Sequence, residues 1–308
     1  MSSLMNDTGL NELLKKIPAF ADATNISVLH GGLTNSNYRV DTKNNSYVMR
    51  ISDNSTSLLG IDRENEKINT DGAWHSGVGA EVIYSLPEEN VLVISWIEAK
   101  TLHAENIHER SELLSRIAGA LRTLHSGPKF HRDFYFPSVR KKYLEMVLAN
   151  NYFLPDEYLQ MEILIKELES ILESNPEQLV PCNNDLLAEN FMDDGEKIWI
   201  IDYEYSGQNE ASFEIGNMAS EIFLNDEQLT ILCDTYWQKY LPEKIYRAMA
   251  WSIIARFGWV MWASIQEGVS KINFDFRTWG LKKWNSVLPE LKGDRYKEIT
   301  ENLKKYNR

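Results

Sequence analysis

Asp185 and Asn190 stand five positions apart in the stretch CNNDLLAEN, and a third oxygen-bearing side chain, Asp202, follows the short apolar run KIWII. Carboxylate and amide oxygens are hard donors suited to Mg²⁺, which keeps several waters and takes one or two carboxylates beside substrate phosphates. Phosphoryl transfer uses such a set: one Asp to orient the attacking hydroxyl, an Asn five residues on and a second Asp to hold the metal. The spacing points to Asp185 as the catalytic base and to Asn190 and Asp202 as metal ligands. The competing reading is a solvated loop in which Asp and Asn only make turns. An Asp placed directly after an apolar strand weighs against it.

A phosphoryl transferase also needs backbone donors around the nucleotide phosphates and a cation set against them. Gly31 and Gly32 fall in a turn inside LHGGLTNSNYRV, where the lack of a Cβ lets N–H groups approach phosphate oxygens. Arg50 ends the run SYVMR, and a guanidinium there can meet phosphates bidentately. Each has an ordinary alternative, a plain turn and a surface arginine. Glu66, on the helix that follows, can pair with Arg50 and hold it. Glu64 is its rival, because the two differ in helix face.

These residues need elements to position them. Residues 8–17 have a helical pattern, with Thr8 as a cap and Leu10, Leu13 and Leu14 on one face. ISVLHGG, SNYRV and SYVMRIS read as short strands, residues 61–76 as a helix, and AEVIYSLPEENVLVISWI as a hairpin turning at Pro87–Asn90. After IEAKTL the texture is helical, beginning with 106–125. It is interrupted by strand-like pieces at 182–192 and 197–202. If those two pieces pair as a hairpin, Asp185, Asn190 and Asp202 converge at one end. The arrangement is α+β, a small antiparallel sheet lobe over 1–97, where the nucleotide is expected, followed by a mainly helical lobe over 98–308 that carries the Asp185 loop.

The composition narrows the partners. With 43% hydrophobic and 25% charged residues in 308, the chain is expected to be a folded globular protein rather than a disordered one. A net charge of -13 argues against the basic footprint that a nucleic-acid backbone requires. Only Cys182 and Cys233 are present, with no zinc or disulfide spacing, so a reducing compartment is expected. MSSLMNDTGL has no secretory pattern, and the apolar segment 249–265 is interrupted by Arg256 and short for a bilayer. A cytoplasmic protein without membrane insertion is the expectation. His75, His103, His125 and His131 have no mutual spacing that suggests a metal site, and Cys182 reads as a small buried residue.

HGGLTNSNYRV, YVMRI, NNDLLAEN and IDYEYSG…FEIGNMASE together resemble the choline/ethanolamine kinase family, in the aminoglycoside-phosphotransferase-like branch of the protein kinase fold. The resemblance implies a two-lobed fold with ATP and Mg²⁺ in the cleft and transfer of the γ-phosphate to the hydroxyl of a small amino alcohol. It implies that Asp185 is the base, that Asn190 and Asp202 hold the metal, and that Arg50 meets the phosphates with Glu66 as its partner. Asn35 and Ser36 would lie in the phosphate loop. Glu204, Tyr205 and Glu221 would line the acceptor site, with Trp259, Trp262 and Trp279 as an aromatic wall for a quaternary ammonium. The sequence departs from the family at Asn183, where a His is usual; that His braces the loop by hydrogen bonding, a task open to Asn.

Trp259 and Trp262, three apart on a predicted helix, share a face. Such a stripe either packs the core or encloses a cation. Beside IDYEY and EIGNMASE the cage is favoured, with Glu204 and Glu221 as its charge complement. The reading is an ATP- and Mg²⁺-dependent kinase that prefers choline. Ethanolamine, thiamine and an aminoglycoside are rival acceptors. A choline-binding protein that has lost transfer is the rival from another class.

Overall fold

The computed structural model describes residues 7–29, 35–52 and 59–306. The first helix, α1 (Asp7–Lys15), is amphipathic and buries Leu13 against Phe20, Tyr38 and Met49. Period-two alternation then builds the sheet: β1 (Ala23–Leu29), β2 (Asn35–Thr42) and β3 (Ser46–Ser52), with Tyr38, Val40 and Met49 turned inward. Helix α2 (Arg63–Ser76) starts at Asp62, whose side chain accepts from the amides of Glu64 and Asn65, and stops at Gly77 in the left-handed region. The predicted hairpin is β4 (Val82–Leu86) and β5 (Val91–Ser95), turning through Asn90. The five strands are antiparallel in the order β1-β2-β3-β5-β4.

β6 (Lys100–Thr101) leads into the helical portion. The helix expected over 106–125 is two, α3 (Ala104–Glu109) and α4 (Glu112–His125), separated at Arg110-Ser111. α5 (Phe136–Ala149) and α6 (Tyr158–Glu173) follow. The strand region differs from the single hairpin expected. β7 (Leu179–Cys182) pairs with β10 (Gly207–Glu210) in one ribbon, while β8 (Phe191–Asp193) pairs with β9 (Ile198–Ile200), and β8 also with β6. The loop bearing Asp185 therefore runs from one ribbon to the other, so two sheets fix its ends.

α7 (Ala211–Ile222), α8 (Asp226–Trp237), α9 (Pro242–Val269), α10 (Phe276–Lys292) and α11 (Asp294–Tyr306) complete the chain. α9 extends well beyond the segment read from its apolar run. At 28 residues it is long and apolar enough to cross a membrane, yet its apolar stretch is wholly buried. A helix apolar on all sides suits the centre of a core. Its Arg256 is paired with Glu290 of α10. α7 lies so close to α9 that a Cβ on Gly216 would collide with the Ala248 carbonyl and the Trp251 side chain. Leu59, Ile61, Ala73 and Val78, although they precede residue 97, pack into this helical core rather than under the sheet.

Candidate active site

Arg50, on β3, lies beside α2 and next to Asp202. Its guanidinium pairs with Glu66 and sits 2.7 Å from Asp202 Oδ1. Glu66 is buried and Glu64 exposed, so the helix face decides between the two. Arg63, one turn before Glu66, extends the cluster: it lies 2.6 Å from Glu66 and 3.3 Å from Glu204, and donates to Asn35 Oδ1 at 3.3 Å. Asn35 Nδ2 donates to Glu204 at 3.1 Å. Arg63 was missed in the sequence, although its i,i+3 relation to Glu66 was a usable signal. Ser36 lies on β2 opposite Ile51 of β3, and Gly31 and Gly32 fall outside the described residues.

The loop from Asn183 to Asn190 is held almost atom by atom. Asn183 Oδ1 accepts from the Asp185 amide at 3.0 Å, and its Nδ2 donates to the carbonyls of Ile201 and Asp202 at 3.1 and 2.8 Å. One side chain thus ties the Asp185 segment to the Asp202 segment, the bracing expected of this position. Asn184 takes a positive φ of 66°, a conformation Asn tolerates. Its amide donates to Glu214 at 2.9 Å, its carbonyl accepts from Asn217 at 3.0 Å, and its side chain bonds Asn209 and the Tyr205 carbonyl. Asn190 Nδ2 donates to the Asp185 carbonyl at 2.6 Å. Beneath the loop, His125 binds Glu214 through Nε2 and the Tyr236 hydroxyl at 2.7 Å through Nδ1, with Cys182 Sγ 3.8 Å from Nε2. This buried group, 57 positions apart in sequence between His125 and Cys182, has no spacing signature, and its hydrogen bonds make it a brace for Asn184.

Beyond Asp185 lies an aromatic wall. Trp262 Nε1 donates to the Tyr205 hydroxyl at 3.0 Å, and its ring is 5.2 Å from that of Trp279. Trp259 is packed as core: its ring lies 5.0 Å from Phe136 and 5.5 Å from Tyr205, and its N–H is given to Asn217 at 2.8 Å. Glu221 is not free. Lys283 Nζ sits 2.6 Å from each of its carboxylate oxygens and 4.2 Å from the centre of the Trp279 ring. Lys283 was also missed; its i,i+4 relation to Trp279 on α10 was the available sign.

Electrostatics link the two halves. Half-buried Asp185 has its pKa raised well above the usual carboxylate value, first by withdrawal from water and then by Asp202, Glu221 and Glu204, with Lys283 pulling the other way. Burial and then Asp202 raise Glu204, against Arg50, Arg63 and Asn35. Burial lowers Lys283 despite Glu221. Carboxylates here outweigh the cations that face them. Asp185, Asn190 and Asp202 bring hard oxygens to one loop junction, a donor set that fits a divalent cation.

A family model described as choline/ethanolamine kinase matches residues 26–246. Among curated relatives, Protein LicA of Haemophilus influenzae is 27% identical over 77% of this chain and 72% of its own length. Ethanolamine kinase 2 of Mus musculus is 28% identical over 77% of this chain and 68% of its own. The solved structure of a choline/ethanolamine kinase family protein from Mesorhizobium loti superposes with a TM-score of 0.84 at 27% identity, covering 96% of this chain and 98% of that one. A match across most of the chain, on a kinase-like frame that gathers Asp185, Asp202 and Arg50, leaves one conclusion: the chain belongs to the choline/ethanolamine kinase family and is a phosphotransferase with an alcohol group as acceptor.

Proposed function

We propose that the protein transfers the γ-phosphate of ATP, with Mg²⁺, to the hydroxyl of a small amino alcohol, choline foremost. The observation that carries this reading is the position of Asp185. Asn183 ties its segment to that of Asp202, whose carboxylate meets Arg50, and Asn184 ties it to the Tyr205 carbonyl and to Asn217 on the helix that carries Glu221, so it stands between the two sides. In this reading Asp185 orients the acceptor hydroxyl and draws its proton as the oxygen attacks. Arg50, steadied by Glu66, meets the nucleotide phosphates, and Asn35, Ser36 and the Gly31-Gly32 turn cover them. Asn190 and Asp202 would hold Mg²⁺, which when bound neutralises charge on the phosphate oxygens. Tyr205, Trp262, Trp279 and Glu221 line the acceptor side, Glu204 borders it from the Asn35–Arg63 cluster, and Trp259 supports the wall from behind. The lobes divide near residue 97, and the protein works in the cytoplasm.

The test is ADP release with purified protein and a panel of choline, ethanolamine, thiamine and an aminoglycoside, with and without Mg²⁺. Release that needs both Mg²⁺ and an amino alcohol, and is fastest with choline, is the expected result. Faster release with an aminoglycoside, or metal-independent release, would overturn the substrate or the metal assignment respectively.

A further inference from the structure

The acceptor side already contains an organic cation, and it belongs to the chain. Lys283 projects from α10 and is 2% exposed. Its ammonium bonds both oxygens of Glu221 at 2.6 Å and lies 4.2 Å over the Trp279 ring, which in turn is 5.2 Å from Trp262. A carboxylate on one side and an indole face on the other is the arrangement proteins use to seat an alkylammonium group. Trp262 is held in its orientation by the Tyr205 hydroxyl, so the seat is a built one. The lysine charge also acts on Asp185, which places it within electrostatic reach of the reacting hydroxyl.

We propose that Lys283 is a specificity-determining residue: a resident cation that occupies the Glu221–Trp279 seat and that a quaternary ammonium acceptor must displace. The inference rests on the amino-alcohol reading of the site and adds to it a resident cation that narrows the margin by which choline is preferred over a primary amino alcohol. A trimethylammonium head has no N–H to give, so it depends on ring faces and a nearby negative charge. The Trp279 face and the Glu221 charge are what Lys283 holds. A primary ammonium is smaller and can donate to Glu204 or Asp185 without entering the seat. Lys283 therefore weighs against quaternary heads more than against primary ones.

The experiment measures binding rather than turnover. Tetramethylammonium is titrated calorimetrically into wild type, Lys283→Ala and Lys283→Arg. The expected result is about tenfold tighter binding to Lys283→Ala, on the scale of one freed cation–π contact, with Lys283→Arg close to wild type. Because Lys283→Ala leaves Glu221 buried and unpaired, the double variant Lys283→Ala/Glu221→Gln is measured as well. It retains a gain over wild type, smaller than in the single variant, since the Trp279 face is freed in both. Equal or weaker binding in both alanine variants would overturn the proposal. Choline and ethanolamine KM values in the same proteins separate this from the substrate reading. A wild type that turns over neither acceptor defeats the amino-alcohol function while the tetramethylammonium result still decides the role of Lys283.

Discussion

Asp185 is placed at a cost. Its folded-state pKa is raised, so the ionised form is disfavoured in the native protein relative to the unfolded chain. A raised acid destabilises above its folded pKa, and that penalty disappears below the ordinary carboxylate value of about 3.9. Asp185→Asn is therefore expected to abolish turnover and to raise the melting temperature at neutral pH by about 2 °C or more, without added divalent metal. The gain should vanish as the pH falls toward 4. Melting curves at both pH values check this; a variant less stable than wild type at neutral pH would contradict it. Asp185, Asn190 and Asp202 stand out in the sequence because their spacing and residue types suit phosphoryl transfer, whereas the choice between Glu64 and Glu66 needs the helix face that the fold supplies. The sequence did not show Arg63, Lys283 or His125 in their settings. Their partners lie 141, 62 and 89 positions away, and only the fold brings them together.

Among the elements, sheet and helix periodicity read correctly through β5, while the region from 179 to 210 did not. Its strands are three or four residues long, too short for alternation to reveal which one pairs with which. The consequence is functional, since β7–β10 and β8–β9 clamp opposite ends of the Asp185 loop. α2 is clamped likewise: Asn65 and Asn69 donate to the Ser206 carbonyl at 2.9 and 3.1 Å, so the helix bearing Glu66 is fastened to the segment after Asp202. The tryptophans of α9 and α10 divide by environment. Trp259, wedged between Phe136 and Tyr205, is expected to cost about 3–5 kcal/mol when replaced by Ala. Trp279→Ala should leave stability nearly intact and raise the choline KM severalfold, with the ATP KM unchanged. Chemical denaturation and steady-state kinetics on the two variants distinguish them; a stable Trp259→Ala protein would contradict the core assignment.

For the whole molecule, the acidic charge of -13 is consistent with the site's own surplus of carboxylates and with a cationic acceptor. Among the described residues, two apolar cores underlie the architecture, a small one beneath the sheet and a large one around α9. Leu59, Ile61, Ala73 and Val78 belong to the large one, so the α2 segment is packed against the helical portion. Asp185 and Asp202 thus sit on a base fixed from several sides, and Arg50 reaches it from the sheet. The activity proposed for this base is transfer of phosphate to an amino alcohol. The most direct measurement is phosphorus NMR of a reaction containing wild-type protein, ATP, Mg²⁺ and choline, beside the same reaction with Asp185→Ala. A new phosphomonoester signal that grows in step with ADP in the wild-type sample and is nearly absent from the variant is the expected result. Binding of choline with no phosphomonoester formed, or equal product from Asp185→Ala, would contradict it.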